Sequence, residues 1–171
     1  YLLALTLIFD LVALPFELYS IFVIEERFGF NKMTLKLWLS DKVKGLLIGA
    51  LLLSPLVLAV LWLMRAAGSV WWLYALALIA LFQLAVIYIY PAWIAPLFNR
   101  FTPMPEGPLR ARVEALLARC GFEPRGLYLM DGSKRSSHGN AYFTGFGRAK
   151  RIVMFDTLAS RLTPDQAEAI L

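Results

Sequence analysis

The sequence predicts a mainly α-helical, multi-span membrane bundle with a small α+β part on its cytoplasmic side. Composition is the first observation: of 171 residues, 60% are hydrophobic and only 17% are charged. A soluble domain averages about 45–50% apolar and about 25% charged residues. The second observation is how the apolar residues are distributed: their excess lies before residue 98, and nearly all the polar character follows it. We therefore expect a membrane bundle over residues 1–98 and an incomplete soluble domain over 99–171.

Three stretches are long and apolar enough to span a bilayer, which takes about 20 residues. They cover about residues 1–24, 43–64 and 70–95. The link over 25–42 is too charged to span, and its mixed leucines and lysines predict an amphipathic segment at the membrane interface. Basic residues also follow the third span. The positive-inside rule therefore places this link and the soluble part in the cytoplasm.

Two acids interrupt the first span. Asp10 and Glu17 are seven residues apart, so they share one face of a helix. A carboxylate that faces lipid is costly, and such groups usually point into a bundle or a wet cavity. We expect both side chains to face protein or water. The alternative is that one or both lie near an interface or form a structural hydrogen bond with a neighbouring helix.

The soluble part is predicted to contain a helix, three strands that include a β-hairpin, and the start of a second helix. Aromatic and β-branched residues mark the hairpin strands, and a turn with glycine and charge separates them. Thr163, Pro164 and Gln166 predict the second helix start through a capping box. A Pro-rich linker over 99–108 precedes these elements. The elements cover about residues 109–119, 126–131, 140–146, 151–155 and 164–171.

The candidates for metal and nucleic-acid chemistry are few. Cys120 and His138 are the only cysteine and the only histidine, and they cannot make a zinc site without carboxylate ligands. We expect His138 to be an exposed loop residue, and Lys134 and Arg135 to be solvated. The net charge of +5 comes without a basic stripe carrying interleaved aromatics, so we expect no nucleic-acid partner.

Three stretches resemble one family, the integral-membrane zinc metalloproteases of the CAAX prenyl protease (a-factor-converting) type. Together they cover much of the chain, and the Glu-Glu-Arg-Phe-Gly-Phe and Asn-Ala-Tyr-Phe runs are the most specific parts. The stretches are FVIEERFGFNKMTLKLWLSDKVKG (Phe22–Gly45), YPAWIAPLFNRFTPMPEGPLR (Tyr90–Arg110) and LYLMDGSKRSSHGNAYFTGFGRAKRIVMFDTL (Leu127–Leu158).

The resemblance implies where the metal chemistry lies. In this family the helix that Thr163 and Pro164 open continues into His-Glu-x-x-His, in which two histidines bind zinc and the glutamate activates water. The sequence stops before that motif. We therefore expect a zinc metalloendopeptidase in the full-length protein. We expect residues 1–171 alone to be inactive, with no catalytic residue and no zinc.

The resemblance also implies a substrate site. Asn140, Ala141 and Tyr142 lie where the family's substrate-binding edge strand begins, and an edge strand can hold an extended peptide. The alternative is that Asn140 only caps the strand. Asp10 and Glu17 become candidates for lining the internal chamber that the membrane spans enclose.

The expected function is cleavage of peptide bonds near the C-termini of proteins, including prenylated ones. The expected partners are a peptide or protein substrate and the lipid bilayer, and the expected location is a bacterial inner membrane. One alternative is a non-catalytic membrane scaffold or binding protein. Another is a membrane quality-control protease of the heat-shock type, which shares a similar Asn-Ala strand.

Overall fold

The computed structural model describes residues 2–121, 126–145 and 150–170. Within these ranges three helical runs are long and apolar enough to cross a membrane. This confirms the predicted fold class of a mainly helical bundle with a small sheet. The three runs are Ala4–Glu25, Leu35–Ala66 and Gly68–Phe98.

The runs are built from four α-helices and shorter turns. α1 is Leu2–Tyr19 and continues as a wider π-helical segment, Ser20–Glu25. α2 is Leu35–Ala66, and it packs against α3. The third run joins a 3-10 turn, α3, a second π-helical segment and the short α4. In order these are Gly68–Val70, Trp71–Ile89, Tyr90–Ile94 and Ala95–Phe98.

The start of α2 differs from the prediction. The sequence predicts a separate interfacial segment over 25–42, whereas residues 35–42 form the first turns of α2. Thr34 caps this helix, because its hydroxyl accepts a hydrogen bond of 3.2 Å from the Leu37 backbone N–H. With the cap in place, lysines in the first turns are compatible with a helix that continues into the apolar stretch.

After residue 98, the described residues form a four-stranded sheet and three α-helices. The strands are β1 (Phe101–Pro103), β2 (Gly126–Met130), β3 (Ala141–Thr144) and β4 (Arg151–Phe155). Their order in the sheet is β1-β2-β4-β3. β2 and β4 run parallel, and both edge strands are antiparallel to their neighbours. The helices are α5 (Pro108–Arg119), α6 (Asp156–Ala159) and α7 (Pro164–Ile170).

The core lies on the face of the sheet covered by α5 and α7. Alternate residues of the central strand β4, Ile152 and Met154, point into it and are almost fully buried. α5 contributes Val113 and α7 contributes Ala167, neither of which is exposed. Burying each large apolar side chain stabilises the fold by about 1.5–3 kcal/mol.

Two elements were missed. β1 lies in the predicted linker, and α6 lies between β4 and α7. The predicted strand over 140–146 begins as β3 at Ala141, but its Phe146 and most of the hairpin turn lie outside the described residues. Cys120 is exposed.

Candidate functional site

β3 forms one edge of the sheet. Among the described strands it pairs only with β4, so its second edge is open. The ladder extends one residue beyond β3, because the Asn140 carbonyl accepts a hydrogen bond of 2.9 Å from the Phe155 N–H. This places Asn140 at the end of the open edge, where the backbone groups of an added strand can pair.

Asn140 itself is exposed. Its Oδ1 accepts a hydrogen bond of 2.9 Å from the Ala141 N–H, as a strand cap would. Its Nδ2 donors contact no acceptor within the described ranges. The amide therefore has both donors available to an incoming carbonyl, and its substrate-binding role stays a prediction.

The other two predicted substrate residues lie on opposite faces of β3. Ala141 packs against the core. Tyr142 faces the other side, where its hydroxyl donates to Met130 Sδ at 3.8 Å and its ring meets Phe155 edge-on at 6.3 Å between centroids. Burial raises the pKa of the Tyr142 phenol, and nearby Tyr90 adds to the shift.

A cavity of about 140 Å³ lies between this second face and the end of the third span. Tyr128, Val153 and Tyr142 stand side by side in the register of three adjacent strands and form its floor. The Arg151 guanidinium lies 5.5 Å from the centre of the Tyr128 ring. The cavity therefore lies between the sheet and the membrane bundle, beside the open edge, and aromatic side chains form most of its floor.

The two acids of the first span have different surroundings. Glu17 accepts hydrogen bonds from Trp38 Nε1 at 2.9 Å and from Lys42 Nζ at 2.7 Å, so it faces α2. Asp10 is half-exposed, and no residue in the described ranges donates a hydrogen bond to it. Their role as chamber-lining residues stays a prediction.

The expectation that Lys134 and Arg135 are solvated is wrong. Lys134 Nζ donates to the Phe98 carbonyl at 2.7 Å and pairs with Asp131 at 2.9 Å. Arg135 pairs with Asp41 of α2 at 2.6 Å, and only 20% of its side chain is exposed. Sequence reasoning missed this contact because its partners are far apart in the chain and neither residue belongs to a local pattern.

His138 is exposed, as expected. Its ring stacks on Phe30 of the link after the first span, with 4.1 Å between centroids and 23° between planes. The described residues hold no group of three or more His, Cys, Asp or Glu side chains that could bind a metal ion.

Comparison with known proteins gives two family matches that together span most of the chain. Residues 1–100 match the family described as "CAAX prenyl protease N-terminal, five membrane helices". Residues 103–171 match peptidase family M48. Membership of this peptidase family implies a metal ion. The first match and the three apolar helices make the chain an integral membrane protein.

Curated relatives agree with these matches. The chain is 46% identical to a CAAX prenyl protease 1 homolog of Arabidopsis thaliana, over 85% of this chain and 34% of the relative. It is 41% identical to CAAX prenyl protease 1 of Saccharomyces cerevisiae, over 94% of this chain and 36% of the relative. The chain thus spans about a third of the length of these relatives.

A solved structure shares the fold. The crystal structure of S. mikatae Ste24p matches with a TM-score of 0.91 and 40% identity, over 99% of this chain and 39% of that one. The match covers the helical runs and the sheet together. The chain therefore belongs to the M48 peptidase family, in the group that carries the CAAX prenyl protease N-terminal region.

Proposed function

We propose that the full-length protein is a zinc metalloendopeptidase that cleaves peptide bonds near the C-termini of protein substrates, including prenylated ones. In this proposal residues 1–98 form the membrane bundle and 99–171 form part of the catalytic domain. The names of the relatives, all CAAX prenyl proteases, favour this function over a non-catalytic scaffold and over a quality-control protease of the heat-shock type.

The open edge of β3 is the observation that carries the proposal. A peptidase must hold its substrate extended, and an unpaired strand edge supplies N–H and C=O groups at the right spacing. β3 has such an edge among the described strands, and it begins beside the unpaired amide donors of Asn140. The backbone groups of Asn140 and Tyr142 point toward β4, so a substrate strand added here would pair with the backbone of Ala141 and Phe143 on either side of Tyr142.

The side chains along β3 would then determine which substrate side chains bind well. Successive residues of an added strand point to opposite faces of the sheet. On one face they would meet the exposed ring of Phe143, and on the other the cavity beside Tyr142 and Thr144. An apolar substrate residue is the better match for that aromatic cavity, since removing apolar area from water is favourable at about 25 cal/mol per Å².

The proposal also covers the zinc ion, the residues that line the internal chamber and the orientation of the protein in the membrane. The zinc rests on the family, because the described residues do not supply its ligands. Asp10 and Glu17 are proposed to line the chamber. The soluble part is proposed to lie in the cytoplasm, on the argument that basic links stay on that side. The relatives named above come from eukaryotes and lend no support to a bacterial inner membrane.

The test is cleavage of a synthetic peptide by the full-length protein in lipid nanodiscs. A farnesylated peptide and its unmodified copy are compared, and the metal is removed with a chelator and restored as zinc. We expect cleavage that is lost with the metal and regained with zinc. Absence of cleavage by the zinc-loaded protein would contradict the proposed activity.

A second set of peptides tests the edge strand. N-methylation of one peptide bond at a time removes one backbone donor while the side chains stay unchanged. We expect alternate positions to lose cleavage, because only every second residue of an added strand points its N–H toward β3. Equal cleavage of all the methylated peptides would contradict docking on this edge.

A further inference from the structure

Arg135 contacts the second span, the end of the third span and the link that follows the first span. Its Nε donates to Asp41 Oδ2 of α2 at 2.8 Å. Its Nη2 donates to the Phe98 carbonyl at 2.7 Å, and its Nη1 donates to the Asn99 side chain, both at the end of the third span. Its own carbonyl accepts a hydrogen bond of 3.0 Å from the Lys32 N–H, in the link after the first span.

The loop that carries Arg135 leads directly into the open edge. The loop also pairs with the link after the first span, through a bridge between Asn31 and Ser136 and a hydrogen bond of 2.9 Å from the Ser137 N–H to the Phe30 carbonyl. β3 begins a few residues later, at Ala141. The contacts of Arg135 and its neighbours therefore link the loop that precedes this edge to the membrane helices.

We propose that Arg135 is a positioning residue that, through Asp41 and the end of the third span, holds the peptide-binding edge of β3 in register with the membrane bundle. This inference rests on the proposed function, since it assigns the residue to the alignment of the substrate. It places no reacting atom on Arg135.

Burial makes the Arg135–Asp41 pair sensitive to substitution. The side chains are 20% and 16% exposed. Arg135 Nε and Nη2 both contact Oδ2 of Asp41, and Oδ1 of Asp41 is buried with no partner in the part of the chain that the structure describes. Removing Arg135 would leave this carboxylate buried without a cation, which is strongly destabilising. The buried negative charge of Asp41 thus favours the arrangement in which the loop that carries Arg135 stays packed against α2.

Lysine cannot reproduce these contacts. Arg135 uses three nitrogens in one plane to meet an aspartate, an asparagine and a carbonyl. A lysine carries one nitrogen on a flexible stem and lacks this planar fork. Arg135→Lys should therefore keep the charge and lose part of the alignment.

The experiment uses the full-length protein with the double substitution Arg135→Ala and Asp41→Ala, which removes the buried charge as well as the cation. Peptide cleavage is measured together with amide hydrogen exchange. We expect kcat to fall about 10- to 100-fold, as for a small misplacement of a substrate. We expect KM to change by less than about threefold. Exchange should rise over residues 136–144 and stay unchanged in β2.

Two further variants complete the test. Arg135→Lys should give a kcat between those of the wild type and the double variant. Arg100→Ala is the matched control, because it removes a nearby exposed cation whose side chain has no partner within the described ranges. It should leave kcat and exchange unchanged.

The inference is overturned if the double variant keeps wild-type kcat, if its loss lies in KM alone, or if exchange over 136–144 stays at the wild-type level. Failure of the proposed function looks different, because the wild-type protein itself would then cleave nothing. In that case the exchange measurement still decides whether Arg135 holds the edge in place.

Discussion

The Lys42 ammonium lies 2.7 Å from Oε2 of Glu17, and this ion pair joins the first span to the second. Trp38, one turn earlier on α2, donates its indole N–H to the other oxygen of Glu17 at 2.9 Å. Both oxygens of the carboxylate are therefore satisfied by one face of α2. This explains why an acid can occupy the first span without facing lipid.

Glu17→Ala should lower the free energy of unfolding by about 1–2 kcal/mol. The substitution leaves the Lys42 ammonium and the Trp38 indole N–H without their acceptor, and hydrogen bonds to a charged group contribute about 1.5–3 kcal/mol when well shielded. The side chains of the ion pair are 24% and 35% exposed, so we discount that figure for screening. The measurement is thermal unfolding of the full-length protein in nanodiscs.

Asp10→Asn is the matched control for that experiment. Asp10 lies on the same helix but has no hydrogen-bond donor within the described ranges. We expect the free energy of unfolding to change by no more than about 0.5 kcal/mol, as for ordinary exposed sites. A loss equal to that of Glu17→Ala would mean that the α1–α2 contact is not the source of the effect.

Thr163→Ala should destabilise α7 by about 1 kcal/mol, the usual cost of losing an N-cap. The Thr163 hydroxyl accepts from the Gln166 N–H at 3.3 Å, and Gln166 Oε1 accepts from the Thr163 N–H at 3.0 Å. α7 also buries Ala167 in the core, so fraying would spread to the sheet. Amide hydrogen exchange of residues 165–170 measures the effect. Thr163→Ser keeps the hydroxyl and should behave as wild type, and equal exchange in both variants would contradict the cap.

Local patterns in the sequence predict part of this fold well. The capping box at Thr163 forms as predicted. β4 has the predicted bounds, because its β-branched and aromatic residues follow one another directly in the sequence. β1 could not be predicted in this way. It is short, it contains Pro103, and its strand character comes from pairing with β2, more than twenty residues later.

The contact between Arg135 and Asp41 is a case that the sequence does not reveal. The two residues are 94 positions apart, and each lies among other charged side chains that a one-dimensional pattern cannot tell apart. The open edge of β3 has the same origin, since only the sheet order reveals which strand lacks a second neighbour. The sequence could therefore suggest Asn140 through family resemblance, whereas the exposure of its donors is a property of the fold.

Tyr142→Phe should change the pH dependence of stability above pH 10. Burial raises the pKa of this phenol above its usual value of about 10, so the folded protein holds the proton more tightly than the unfolded chain does. The contribution of the protonated Tyr142 phenol to the free energy of unfolding is therefore fully present below about pH 10. It is lost as the pH rises through the folded-state pKa. The phenylalanine variant lacks this dependence.

The measurement is the difference in thermal midpoint between wild type and Tyr142→Phe at a series of pH values, with phenolate absorbance recorded alongside. The wild-type advantage should be constant near neutral pH and should shrink above pH 10. The variant should also lack the phenol whose pKa burial raises. An advantage that grows with pH would contradict the assignment.

Asn140→Ala should lower peptide cleavage by the full-length enzyme about 10- to 100-fold while leaving its thermal midpoint nearly unchanged. The amide lies exposed at the end of the open edge, and its Nδ2 donors contact no acceptor in the part of the chain that the structure describes. One orienting hydrogen bond to a substrate carbonyl is worth about 1–3 kcal/mol, which corresponds to that loss in rate.

Asn140→Asp separates this role from that of a strand cap. Aspartate keeps an oxygen that can accept from the Ala141 N–H, as Oδ1 does now at 2.9 Å, but it has no N–H to offer a carbonyl. If the donors orient the peptide, the aspartate variant loses as much cleavage as the alanine variant. If the residue only caps β3, the aspartate variant keeps both its cleavage and its thermal midpoint, and the proposed role of Asn140 is wrong. A fall in cleavage that follows the thermal midpoint in both variants would likewise assign Asn140 to folding, because the loss would then reflect the unfolded fraction and not the alignment of the peptide.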